Sequence, residues 1–164
     1  FLDSDFLTQV YQMEKQGSAK VGELSKWNVV MPKRVAQELS YVPPWRRASL
    51  VPSKFLNYLT NKCGVRVEDI GIEEDKVRRK VEDYIVELWK ELTPQGKEKA
   101  YDPGEEQKFR HSADIRLLSY AVTHPDQDVI ILSNNSSEIE RIGEALNAKK
   151  QARVYVFGTK QLLY

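Results

Sequence analysis

The residues equipped to do chemistry are few: Asp3-Ser4-Asp5, Glu38, Asp114 and the run Ser133-Asn134-Asn135. Each sits against apolar sequence. Asp3 follows Phe1-Leu2, Glu38 precedes Leu39, Asp114 lies between Ala113 and Ile115, and Ser133 follows Val129-Ile130-Ile131-Leu132. Carboxylates drawn to one point from separate parts of a chain repel one another unless a cation joins them, and their hard oxygens suit magnesium or manganese. Asp3, Glu38 and Asp114 are therefore candidate metal ligands. Taken singly, each has a plainer account: an aspartate near a helix start caps it, a glutamate on a short helix is solvated, and Ser133 caps the helix that follows. Their joint placement favours a site.

The elements that must position these residues alternate between short β-like runs and longer helical ones. Phe1-Leu2 is expected to end a first strand, and Phe6, Leu7, Val10 and Tyr11 recur at helical spacing as far as Gly17. Trp27 to Met31 is the expected second strand; Pro32 then opens a helix striped by Val35, Ala36 and Leu39, and Pro43-Pro44 ends it. Glu38 thus lies on a short helix. A helical insert follows, its surest part the stripe Val77, Val81, Tyr84, Ile85, Leu88, Trp89 and Leu92, while Thr93 to Glu106 is the best loop candidate. Ser112 is the expected N-cap of a helix carrying Ile115, Leu117, Leu118 and Ala121, with Asp114 in its first turn. Val129 to Leu132 is expected to be a fully buried parallel strand. Ser136 or Ser137 should cap the next helix, and Val154 to Phe157 should form the last strand. Four strands alternating with helices imply an α/β chain with a doubly wound parallel sheet, whose sites form beyond the carboxyl ends of the strands.

A length of 164 residues fits one domain, residues 1–164, and no apolar run approaches the span of a bilayer, so no membrane partner is expected. The single cysteine, Cys63, cannot make an internal disulfide, which points to a reducing, cytoplasmic setting and a structural role. The chain opens without methionine, basic region or small-residue cleavage site, so the expectation is a start further upstream and no signal peptide. Net charge is +1, from 25 Lys and Arg against 24 Asp and Glu; any nucleic-acid binding must therefore use a local patch.

Four segments carry a family resemblance. Phe1-Leu2-Asp3-Ser4-Asp5-Phe6-Leu7 resembles the opening of the PIN-domain ribonucleases, a family that includes toxin-type members. Val29 to Leu39 is similar to that family's second segment, His111 to Ala121 to its third, and Val129 to Asn135 to its fourth, in the same order. The likeness covers about residues 1–40 and 111–157. It implies a three-layer α/β/α domain with a mostly parallel central sheet, carrying a helical insert around residues 45–110. It also implies a magnesium- or manganese-dependent endoribonuclease in which Asp3, Glu38 and Asp114 hold metal, Asp5 and Asn135 add to its shell, and Ser4 and Ser133 orient ligands. Two departures stand out. Asp5 replaces the family's usual Asn, either adding a carboxylate or keeping a hydrogen-bonded turn. Asn135, where the family often has Asp, is a weaker neutral ligand or a brace for its turn.

RNA, the substrate this implies, would be held by Arg46, Arg47, Arg110 and His111, with Trp45 either stacking on a base or packed beside its two prolines. The same resemblance admits an antitoxin-like protein inhibitor and a homodimer. Two rivals remain. Asp3-Ser4-Asp5 with Leu132 to Asn135 also resembles the haloacid-dehalogenase-like phosphatases, in which Asp3 would be nucleophile and Asp5 acid and base. A nuclease-like module that binds RNA or protein, its site weakened at Asn135, is the other.

Overall fold

The structure, a computed structural model, describes residues 1–15, 21–45, 48–92, 103–134 and 136–159. Its helices and strands give a mixed α/β chain with two small parallel sheets. By backbone proximity the residues group into two compact units: Phe1–Asp69 with Ile130–Asn134 and Val156–Tyr164, and Ile70–Val129 with Asn135–Tyr155.

In the first unit, helix α1 (Ser4–Lys15) buries Phe6, Leu7, Val10 and Met13, the 3.6-residue spacing of an amphipathic helix. Strand β1 (Val30–Pro32) leads directly into α2 (Lys33–Ser40), which buries Val35 and Leu39. The fixed ring of Pro32 (φ −57°) suits the N-cap it occupies, and Tyr41 is already extended, so α2 ends before the two prolines. Helix α3 (Ser53–Asn61) follows, and then strand β2 (Arg66–Glu68), parallel to β1 with Met31 opposite Val67. The insert is therefore not wholly helical. All three β2 residues are exposed, so no apolar run announces the strand, as is common at a sheet edge.

Residues 1–3 link the sheets. The Leu2 N–H donates to the Val30 carbonyl at 2.9 Å on one side, and the Asp3 N–H donates to the Leu132 carbonyl at 3.0 Å on the other. Leu132 belongs to β3 (Asp128–Leu132), which pairs with β4 (Arg153–Phe157). The hydrogen-bonded order is thus β2, β1, residues 1–3, β3, β4, which puts the backbone that presents Asp3 in the middle. β3 is less buried than its composition suggests: Ile130 is 45% exposed, because alternate side chains leave opposite faces and one face here is open.

In the second unit, α4 (Asp75–Leu92) packs against α5 (Pro103–Arg110), α6 (Ala113–Thr123) and α7 (Arg141–Ala148). Trp89 stacks on Phe109 with ring centroids 5.3 Å apart. Pro103 to Glu106, expected in a loop, open α5 instead, a first turn where proline lacks nothing and two glutamates meet the positive helix end; residues 93–102 lie outside the described residues. A π-helical turn, Ser136–Glu140, precedes α7, so the serines do not cap that helix and Glu140 stands at its N-cap. Ser112 does hold the N-cap of α6, but its hydroxyl turns back to the Phe109 carbonyl at 2.6 Å.

Candidate functional site

The first unit gathers a polar cluster where residues 1–3 and β3 end. Asp3 follows Leu2, whose isolated parallel bridge to Leu132 stands where a first strand is expected, just before α1 begins, and Asp5 sits in the first turn of that helix. Ser133 and Asn134 follow β3 directly. Asp3 is only 2% exposed, and two donors fix its carboxyl: the Ser4 N–H reaches Oδ1 at 2.8 Å and the Ser133 hydroxyl reaches Oδ2 at 2.8 Å. Ser133 Oγ also lies 3.1 Å from Asp5 Oδ1, which in turn accepts the Asn134 N–H at 3.3 Å. Asp5 thus accepts from the loop that follows β3 and brings a second carboxyl to the first.

Two carboxyls in one desolvated place cannot both keep their charge cheaply. Burial foremost, then the hydrogen bond and repulsion from Asp5, push the Asp3 carboxyl up from its ordinary range to about 7, against the pull of Ser133 and the Ser4 N–H. Near neutral pH this pair is short of positive charge. Among the described residues neither acid forms an ion pair with a lysine or arginine.

A second layer braces the loop after β3. Asn134 Oδ1 accepts the Thr159 N–H at 3.0 Å, and its amide lies 3.5 Å from Thr159 Oγ1, with Thr159 itself buried. Gly158 makes this approach possible, because a Cβ there would stand 2.7 Å from Asn134 Oδ1. Sequence reasoning gave Gly158 and Thr159 no role; their one signal is a glycine just past the apolar run of β4.

The remaining candidates are placed as follows. Glu38 is half-buried on α2, beside the buried Leu39. Asp114 is 9% exposed in the first turn of α6 and belongs to the second unit, as do Arg110 and His111. Arg110 is held by Asp83 at 2.8 Å and Glu106 at 3.3 Å, and His111 is exposed. Asn135, Arg46 and Arg47 lie outside the described residues. The structure therefore brings Asp3, Ser4, Asp5 and Ser133 together. Among the described residues no three His, Cys, Asp or Glu side chains gather closely enough to hold a metal ion.

The donor chemistry at Asp3 and Asp5 nevertheless fits a divalent cation. Two hard carboxyl groups, one of them kept protonated to about pH 7 by burial foremost and then by its neighbour Asp5, are the residues whose oxygens could hold such an ion. No protein-family model, no curated protein and no solved structure matches the chain.

Proposed function

We propose that the chain is a metal-dependent endoribonuclease of the PIN-like kind, a three-layer α/β/α domain with one mostly parallel central sheet, acting on phosphodiester bonds of RNA. The observation that carries this reading is the buried Asp3 carboxyl just past the Leu2 bridge, shared through Ser133 with Asp5 and lacking a basic partner among the described residues. In this reading Asp3 and Asp5 are the residues that hold magnesium or manganese. When bound, the cation acidifies water and offsets the charge that builds on a phosphodiester under attack. The protein's own part is to hold the carboxyls in place: the Ser133 hydroxyl donates to Asp3 Oδ2 at 2.8 Å with Asp5 Oδ1 at 3.1 Å as its alternative acceptor, and the Ser4 N–H fixes Asp3 Oδ1.

One observation favours a second reading, a haloacid-dehalogenase-like phosphatase: Ser133 touches both aspartates of Asp3-Ser4-Asp5. The test is cleavage of end-labelled single-stranded RNA with manganese, alongside turnover of p-nitrophenyl phosphate. Internal cuts that vanish in Asp3→Asn are expected. Turnover of the monoester without RNA cleavage would replace the nuclease by the phosphatase, and neither activity would remove both.

A further inference from the structure

The loop that follows α2, Tyr41-Val42-Pro43-Pro44-Trp45, has no part in the cluster above. Its Trp45 is 82% exposed, the highest exposure of the large apolar side chains described, and Tyr41 in the same loop is 59% exposed. Trp45 is therefore not packed against its prolines. An indole left in water costs hydration free energy, so an exposed aromatic pair in one short loop marks a surface that meets something.

The loop is built to hold its rings out. The Tyr41 N–H is bonded to the Gln37 carbonyl at 3.0 Å, which fixes where the loop leaves the helix. Pro43 is buried and Pro44 restricts the residue before it, so the chain reaches Trp45 with few accessible conformations. Rigidity of this kind lowers the entropy lost when a ring is immobilised against a partner.

Charge identifies the partner. The first unit carries 11 Lys and Arg against 7 Asp and Glu, whereas the second carries 14 against 17. The chain's near-neutral total conceals a basic unit that presents exposed aromatic rings. Cations that hold phosphates together with rings that stack on unpaired bases are the chemistry of single-stranded nucleic-acid binding.

We infer that the Tyr41 to Trp45 loop is a docking platform for single-stranded RNA, with Trp45 stacking on an unpaired base and Tyr41 supporting a neighbouring one. The choice of RNA rests on the hydrolase reading; the stacking does not, because it concerns how a strand is held.

Binding of a fluorescein-labelled 12-nucleotide single-stranded RNA, measured by anisotropy in EDTA so that cleavage is silent, tests this. A stacked base is worth about 1–3 kcal/mol, so Trp45→Ala should weaken binding by roughly 5- to 150-fold, Tyr41→Ala by less, and Trp45→Phe should recover most of it. The slope of affinity against salt should stay the same, because phosphate contacts are untouched. A duplex of the same sequence should bind more weakly and show no dependence on Trp45. Three results overturn the proposal: Trp45→Ala binding like wild type, equal losses for single strand and duplex, or a wild-type dimer that Trp45→Ala turns into a monomer. RNA that binds through Trp45 but is never cut with manganese leaves the platform standing and removes only the nuclease reading.

Discussion

Two pairs of acids in this chain are kept in opposite ways. In the second unit, Asp83 and Glu106 share Arg110, and Glu106 also lies 3.5 Å from Lys90. In the first, among the described residues, Asp3 and Asp5 meet each other, the Ser133 hydroxyl and neighbouring backbone N–H groups. The first arrangement is complete, since each carboxylate meets a cation the chain itself provides. The second satisfies hydrogen bonds but brings no cation, and burial foremost, then the neighbouring Asp5, raises the Asp3 carboxyl to about 7. A pair whose charge deficit is built in is one that an external cation can relieve, and that contrast can be tested by perturbing each pair in turn.

The largest effect should come from the charge on Asp3. Its carboxyl is pushed from 3.8 to about 7 on folding, so the native state holds a proton that the unfolded chain releases. Stability from this group is fully present below pH 3.8 and is lost as the pH rises through about 7, with a ceiling of about 4 kcal/mol. Asp3→Asn removes the titrating group. Urea midpoints at pH 5 and pH 8 should fall with pH in wild type and fall much less in the variant, and manganese at pH 8 should restore wild type alone. Parallel pH profiles in the two proteins would show that Asp3 carries no such deficit.

Ser133→Ala comes next. It leaves Asp3 Oδ2 buried without its donor, which costs about 1–3 kcal/mol. Ser133 also favours the ionised form of Asp3, so its loss raises that carboxyl further and the variant should be hurt more at pH 8 than at pH 5. A loss of equal size at both pH values would mean that the hydroxyl packs but does not tune the acid.

The brace beyond Ser133 should matter less. Gly158→Ala places a Cβ where Asn134 Oδ1 now sits, forcing the amide off the Thr159 N–H, for a loss of about 1 kcal/mol. In an Asn134→Ala background that clash is gone, and Gly158→Ala should become neutral or slightly stabilising. Additive losses in this cycle would show that the two residues do not meet.

Much of the scaffold was legible in the sequence. α1, α2, α4 and α6 each show an apolar stripe, β3 contains the β-branched run Val129-Ile130-Ile131, and β1 and β4 carry valines among other apolar residues. The positions of Asp3 and Ser133 were legible for the same reason, as the first polar residues after apolar runs, but the direct pairing of Asp3 with Asp5 through Ser133 was not. β2 was not, because an edge strand of three exposed residues has no burial pattern to reveal it. The latch of Asn134 on Gly158 and Thr159 joins residues about 25 apart, and no local periodicity encodes a contact made by tertiary folding. Trp45 shows a third limit. Its residue type suits a core as well as a binding surface, and only its exposure separates the two.

The smallest effect should follow from disturbing the complete pair. Arg110→Met keeps the apolar stem of the side chain and removes its charge, separating it from Asp83 and Glu106. Asp83 is exposed and already hydrated, so its loss of a partner costs little. Glu106 is mostly covered, yet Lys90 remains within 3.5 Å to balance it. The net change should be about 0.5 kcal/mol, and it should shrink in 0.5 M salt, because screening weakens the pairs that wild type would otherwise keep. Urea unfolding of both proteins at low and high salt measures it. A loss above about 2 kcal/mol that salt leaves unchanged would place Glu106 among buried charges that cannot spare a partner. The two acid pairs would then differ in which cation they need, and both would depend on one.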